Sequence, residues 1–312
     1  MQITLREVFE RVLSRSLRIN SAGLLGGNSF SEQKITDDWF RSHYSYAADI
    51  VASWLGEVID LRKSSVVDFG CGDGIMDLGL ALKHRPRSIT GIDIHDAYKY
   101  LPETAKTQLG LQSLPPSLGF VTVEPGQALR SVPSVKQVDA IFSWSVFEHV
   151  EKPLLPGIFA DLYAALPPGG VFFLQIEPLY YSPFGSHLSG LISEPWAHLR
   201  LSHDELVKQI EDKQPEQVGE EHKNKTFELC SFQDFKDYLK REYLSLNRVT
   251  AGELLSFATT AGFAVEKKRL NMVNLVPSAD LLRAHSEDDL RCSEIMLLLR
   301  RPHRPEKSGR PA

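Results

Sequence analysis

Apolar residues recur at two different periods along the chain, and the changes of period mark out its elements. Leu5, Val8, Phe9, Val12 and Leu13 share one side of a helical repeat over residues 4–18. Ser21–Lys34, rich in Gly, Ser and Asn, reads as a loop. Helical spacing returns over Asp37–Ile59, with Trp39, Tyr44, Ala47, Ile50, Val51, Trp54 and Leu55 on the apolar face. From Ser65 onward, short apolar runs alternate with helical stretches. The runs are Val66–Phe69, Ile89–Ile94, Phe120–Val123, Ala140–Ser143 and Val171–Ile176. After the first run, Ile75, Leu78, Gly79 and Leu82 keep helical spacing until Pro86. Before the fifth, Leu155, Phe159, Leu162 and Leu166 do so until Pro167-Pro168-Gly169-Gly170 stops the helix. Alternation of this kind predicts a mostly parallel sheet with right-handed crossovers.

Pro178–Asn247 breaks the rhythm. Its first part, from Tyr180 to His198, is aromatic and polar without a period. Ser202 and Glu205 form a capping box for a helix through Ile210, Gln214–Lys225 is a polar loop, and Phe232, Phe235, Leu239 and Tyr243 mark another helix. This segment reads as an insertion after the fifth strand, at the sheet edge where ligands bind. The rhythm resumes at a second capping box, Thr250–Glu253, whose helix closes at Gly262. Two late strands, Phe263–Leu270 and Glu294–Arg300, flank a helical stretch at Ala279–Ala284 and predict an antiparallel pair at one sheet edge. The organisation expected is a helical extension over 1–63, a main domain over 64–301 carrying the insertion at 178–247, and a disordered tail over 302–312. The extension, dense in aromatics over Trp39–Tyr46, is either a packing layer or a lid.

Composition narrows the classes. The 312 residues are 42% hydrophobic and 24% charged, an ordinary globular balance. A net charge of -5 and a pI near 6.1 disfavour a nucleic-acid or anionic-membrane partner. Cys71, Cys230 and Cys292 are far apart and form no C-x-x-C pair, so neither a disulfide framework nor a zinc site is expected and a reducing, cytoplasmic setting fits. No apolar run approaches ~18 residues, so no membrane span is expected. Arg6, Arg11, Arg15 and Arg18 raise a transit peptide, but Glu7 and Glu10 interrupt the pattern.

The chemistry centres on Val66-Val67-Asp68-Phe69-Gly70-Cys71-Gly72-Asp73-Gly74, a strand entering a glycine turn with a helix beyond it. Glycines at alternate positions let a ligand approach the backbone where a Cβ would collide. The spacing is not the G-x-G-x-x-G of dinucleotide folds, and Asp68 would repel a pyrophosphate. Asp93, 21 residues beyond Gly72 at the end of the second strand, can accept both hydroxyls of a ribose. Ser143-Trp144-Ser145-Val146-Phe147-Glu148-His149-Val150 then sets polar groups at the carboxyl edge of the fourth strand.

With these motifs the chain resembles the class I S-adenosylmethionine-dependent methyltransferases, in their small-molecule branch. Val66–Gly74 is similar to that family's first motif, Thr90–Ile94 to its second, Val138–Ser143 with Glu148–Val150 to its fourth-strand motif, and Leu166–Gly170 to the turn before the fifth strand. The resemblance covers about 64–178 well and 250–300 in outline. It implies a Rossmann-like, seven-stranded sheet with an antiparallel last strand, and S-adenosyl-L-methionine as cofactor. By the same implication Gly70, Gly72 and Gly74 line the methionine part of the cofactor, Asp68, Cys71 and Ser143 are further cofactor-binding residues, Asp93 holds the ribose, and Ile94 packs on adenine. Gly126-Gln127 stands where the family often has Gly-Asp, so Gln127 would meet the adenine amino group. Ser145 stands where some relatives place a further acid, so no metal is expected.

The function expected is methylation of a small-molecule acceptor at oxygen or nitrogen. The alternatives are a nicotinamide-dependent oxidoreductase on a similar sheet and a catalytically silent cofactor-binding protein. His149, His187 and His198 are the candidate bases, since histidine titrates near neutrality; each also reads as a packing or hydrogen-bonding residue. Tyr180, Tyr181, Phe184 and Trp196 wall a substrate or form a satellite core, and Glu177 binds substrate or caps the insertion. The acceptor and the oligomeric state are not legible.

Overall fold

The computed structural model describes residues 35–135, 138–217 and 231–303. The first predicted helix, the loop after it, Cys230, most of the polar loop at 214–225 and residues 304–312 lie outside the described residues.

Seven strands form one sheet in the order β3-β2-β1-β4-β5-β7-β6. They are β1 (Ser65–Phe69), β2 (Ser88–Asp93), β3 (Leu118–Thr122), β4 (Ala140–Trp144), β5 (Val171–Ile176), β6 (Ala264–Met272) and β7 (Cys292–Arg300). The first five run parallel, and β7 is antiparallel to both β5 and β6. The predicted architecture stands, with its antiparallel last strand. The order reverses between β1 and β4, so the carboxyl ends of these strands open a crevice at that point.

The central strands are apolar on both faces because helices cover both. On one face Val67, Ile141, Phe172, Leu174 and Leu297 pack with Phe147, Phe159, Leu162, Leu254 and Ala258. On the other, Val66, Phe142, Phe173 and Met296 pack with Val51, Trp54, Leu55 and Leu80. Those last residues include the N-terminal helix, which runs through Asp38–Arg41, Ser42–Ala47 and Ala48–Gly56. Asp37 caps it by accepting from the Phe40 N–H at 3.0 Å. Its middle segment is wound as a π-helix, a geometry frequent at functional sites. It sits tightly against the helix after the glycine turn: a Cβ at Gly79 would lie 2.2 Å from the Tyr44 carbonyl oxygen. The extension thus packs on the sheet and also reaches the crevice.

One helix escaped the periodicity. Leu101–Leu109 lies between β2 and β3, with Pro102 in its first turn and Gly110 in the left-handed region at its end. Only Leu101 and Ala105 are buried in it, which leaves almost no apolar stripe to read. The insertion is built around its own small core of Leu188, Leu191, Ala197, Leu206, Ile210 and Phe235. Both capping boxes form, and a third is made by Ser231 and Asp234. No helix among the described residues is long and apolar enough to cross a membrane.

Candidate active site

The glycine turn folds back against β2: the Gly70 and Cys71 N–H groups both donate to the Ile92 carbonyl, at 2.9 and 3.1 Å. Its three glycines all have positive φ, for different reasons. A Cβ on Gly70 would come within 2.4 Å of Val146, and one on Gly74 within 2.6 Å of Phe120. Gly72 has nothing within 4 Å on that side. Gly70 and Gly74 therefore serve close packing of the turn, while Gly72 faces open space. Its N–H donates to Asp93 Oδ2 at 2.8 Å, and Asp93 Oδ1 accepts from the His95 N–H at 2.8 Å. The tip of β2 is thus locked to the turn, with the Asp93 carboxylate between them. Ile94, beside it, is 51% exposed. On the other side, the Trp39 indole N–H donates to Asp73 Oδ2 at 2.9 Å, tying the N-terminal helix to the turn.

The other residues expected around the cofactor sit deeper. Asp68 is fully buried beneath the turn, and Cys71 is buried. Burial, reinforced by Asp77 and Asp68, pushes the Cys71 thiol pKa up. Ser143 is buried and its hydroxyl donates to the Phe69 carbonyl at 2.7 Å, joining the tips of β1 and β4. Gln127 is exposed, and its Oε1 accepts from the Glu124 N–H within its own turn at 3.2 Å.

Across the crevice, the tips of β4, β5 and β7 carry a second polar group. Ser145, with φ 51°, donates to Gln175 Oε1 at 3.1 Å, and Gln175 Nε2 donates to Glu294 Oε1 at 3.0 Å. The register Gln175↔Met296, Ile176↔Ile295 carries on to set Glu177 opposite Glu294. Crowding by the surrounding protein, then the Glu294 carboxylate, pushes the Glu177 carboxyl up to about 7, although its side chain stays open to solvent. Burial raises Glu294 likewise. Tyr46, from the π-helical segment, is raised by burial and then by these two carboxylates.

The insertion brings His187 against His149, which follows β4. The His149 and His187 rings meet edge to face at 5.4 Å. His149 Nδ1 hydrogen-bonds with the Ser245 hydroxyl at 2.8 Å, and its Nε2 lies 3.7 Å from Glu242 Oε2. Burial lowers the His149 pKa and brings that of His187 down to about 4, so both rings are neutral at pH 7. His187 Nε2 is buried without a partner. Glu148 is 2% exposed, both its oxygens lack partners, and burial lifts it to about 8. Asn247 straps this segment: its Nδ2 donates to the Phe147 and Val150 carbonyls at 2.6 and 2.7 Å.

His198 and Trp196 are placed differently. His198 is buried with its Nε2–H on the Tyr180 carbonyl at 2.7 Å. The Trp196 ring packs with Leu281 and Leu290, and its N–H donates to the Leu290 carbonyl at 3.1 Å. Both have the geometry of packing residues. Tyr180 is buried against His198, under the Arg248 guanidinium at 5.4 Å, while Tyr181 and Phe184 are half-buried.

The donor set suits a particular ligand. Asp93 and Asp73 set carboxylates at the turn beside Gly72, which faces open space, so a diphosphate would be repelled, whereas a cation bearing hydroxyl groups would be held. Among the described residues no group of three or more His, Cys, Asp or Glu side chains is arranged to hold a metal. Two shallow hollows lie away from the crevice: one on the insertion, lined by Leu191, Glu194 and Lys213, and one at the amino ends of the strands, lined by Asp60, Asp139 and His303. Sequence reasoning did not single out Asp77, Gln175 or Glu294, and named Glu148 only as part of the fourth-strand motif. Each is a lone polar residue in an apolar stretch, a signal shared by many structural positions.

A family model described as "Methyltransferase domain" matches residues 40–267. The ubiquinone biosynthesis O-methyltransferase of Pseudomonas putida is 28% identical over 126 residues, covering 40% of this chain and 50% of that protein. The chain thus spans about half the length of the curated relatives it matches. Among solved structures, an S-adenosylmethionine dependent methyltransferase from Mesorhizobium loti aligns with TM-score 0.45 and 17% identity, over 83% of this chain and 100% of that one. Magnesium protoporphyrin IX methyltransferase from Synechocystis PCC 6803, with bound SAH, aligns with TM-score 0.45 and 14% identity, over 93% and 94%.

Proposed function

The chain belongs to the methyltransferase-domain family, and from that premise we propose that it transfers a methyl group from S-adenosyl-L-methionine to an oxygen or nitrogen of a small molecule. The observation that carries this reading is Asp93 locked to Gly72 on the open side of the glycine turn. Asp93 would hold the ribose hydroxyls, Ile94 would pack on the base, and Gly72 would admit the methionine half. Gln127 would reach the base only with its amide N–H groups or a second lone pair on its oxygen. When bound, the cofactor supplies a methyl group already activated on a sulfonium centre.

The remaining work is alignment, exclusion of water and proton removal. Trp39 would close the N-terminal helix over the turn and Tyr46 would face the acceptor. His149 and His187 would take the acceptor's proton, His187 through its unpartnered Nε2 and His149 held in orientation by Ser245. Tyr181 and Phe184 would line the acceptor's apolar part, and Glu177 would bind a polar group on it. The name of the Pseudomonas relatives, an O-methyltransferase of ubiquinone biosynthesis, makes an oxygen acceptor one candidate. The charge balance of the chain favours such an acceptor over nucleic acid.

The test is incubation with the methyl-labelled donor and a panel of phenols, amines and carboxylates, for wild type and His187→Ala. Label in a product, cut strongly by the substitution, is expected. Cofactor binding with no labelled product in any panel would favour a silent binding protein, and saturable binding of reduced nicotinamide would favour the oxidoreductase.

A further inference from the structure

Two buried aspartates have no part in the scheme above as ligands. Asp68 ends β1 just before the glycine turn, and Asp77 lies in the first turn of the helix just after it. Both are 0% exposed, and none of their four carboxylate oxygens has a donor. The two carboxyls bond to each other side chain to side chain, which needs a proton between them. The charges that act most strongly on them are further carboxylates, Asp93 from β2 and Asp73 from the turn. The Cys71 thiol is the remaining titratable group in the turn. The N-terminal helix, packed over the helix that carries Asp77, brings His43, Tyr44, Tyr46 and Asp49. Asp49 is paired with Lys83 and His84, and His43 is bonded to Ser42 and to the Trp39 carbonyl.

Burying two like acids without outside donors costs folding stability at neutral pH. The position of the pair explains it: the two aspartates flank the glycine turn, one before it and one after, and Gly72 leaves that turn open. We propose that Asp68 and Asp77 hold a proton between them and release it when a cationic ligand occupies the turn, so that Asp77 sets the preference for the sulfonium over its neutral thioether product. This rests on the functional reading above. The O–H bond of the pair breaks and the proton passes to solvent, while no bond in the ligand changes. An incoming positive charge favours the ionised pair. Once the methyl group has left, the sulfur is neutral, the pair takes its proton back, and the product is held less tightly than the donor. Burial is the main cause that lifts Asp77, to about 8, so the proton is present at pH 7.

Calorimetry of the full chain at pH 7.5, in two buffers of different ionisation enthalpy, counts the protons. S-adenosylmethionine should release more protons than S-adenosylhomocysteine. In Asp77→Asn that difference should vanish and the donor-to-product affinity ratio should fall about tenfold, the factor carried by one unit of pKa displacement. Equal proton counts in wild type and Asp77→Asn would overturn the proposal. Should Asp77→Asn fail to fold, the wild type alone decides: donor affinity should rise from pH 7 to pH 9 more steeply than product affinity, and parallel profiles would overturn the proposal. Absence of any binding heat with either ligand would instead overturn the reading of the turn as a cofactor site.

Discussion

The two sides of the crevice are built in opposite ways. The side proposed for the cofactor is contiguous: Asp68 to Asp77 and Asp93 come from one strand–turn–helix and the next strand. It is held mainly by backbone N–H groups, with Asp93 taking two of them. The side proposed for the acceptor is assembled from the tips of β4, β5 and β7, the insertion and the N-terminal helix, and is held by side chains such as Ser145, Gln175, Ser245 and Asn247. Backbone-built sites leave a spacing in the sequence, and side-chain-built sites do not. The first arrangement suits a ligand common to a family, and the second can change its acceptor by changing single residues.

Substitutions break this comparison in a definite order. The largest effect is expected for Asp93→Ala, which frees the Gly72 and His95 N–H groups and removes the ribose acceptor. Affinity for the donor should fall at least a hundredfold, on the order of 3 kcal/mol, measured by calorimetry. Next come the glycines. Gly70→Ala drives a Cβ into Val146 and should lower the melting temperature by several degrees, on the order of 2 kcal/mol of overpacking. Gly72→Ala meets no protein atom, so it should weaken donor binding more than it lowers the melting temperature. A Gly72→Ala protein that binds normally would mean the open side of the turn does not face the ligand.

On the acceptor side, His187→Ala should lower turnover about a hundredfold, within the range for a positioned base, with donor affinity unchanged. Because burial holds both His149 and His187 below the ordinary histidine value, the acid limb of the rate profile should lie below pH 6.

A smaller effect concerns stability against pH. Glu148 and Asp77 are raised in the folded chain to about 8, above the values of the unfolded chain. They contribute stability that is fully present below pH 4 and is lost as pH rises through 8. Glu148→Gln should therefore flatten the fall in melting temperature between pH 5 and pH 8. An unchanged slope would mean the carboxyl is not buried as described.

Much of the fold was legible because both of its periods are strong. β5 was read to the residue, since a strand buried on both faces is a continuous apolar run. The helix at Leu101–Leu109 was not, because it buries too little to show a stripe. The glycine turn was legible as a spacing, yet the separate duties of Gly70, Gly72 and Gly74 depend on what packs beside each. His149 and His187 could be named one by one but not paired, since 38 residues separate them and only the folded insertion closes that distance. His198 and Trp196 looked alike in the sequence to groups that line a pocket, and their polar atoms are instead spent on backbone carbonyls.

The central claim is that the cradle between Gly72 and Asp93 holds a sulfonium nucleoside. Calorimetric titration of the full chain with S-adenosylmethionine tests it most directly. Saturable binding in the micromolar range, lost in Asp93→Ala while the circular dichroism spectrum is kept, is the predicted result. No binding by the wild type, or equal binding by wild type and Asp93→Ala, would contradict it.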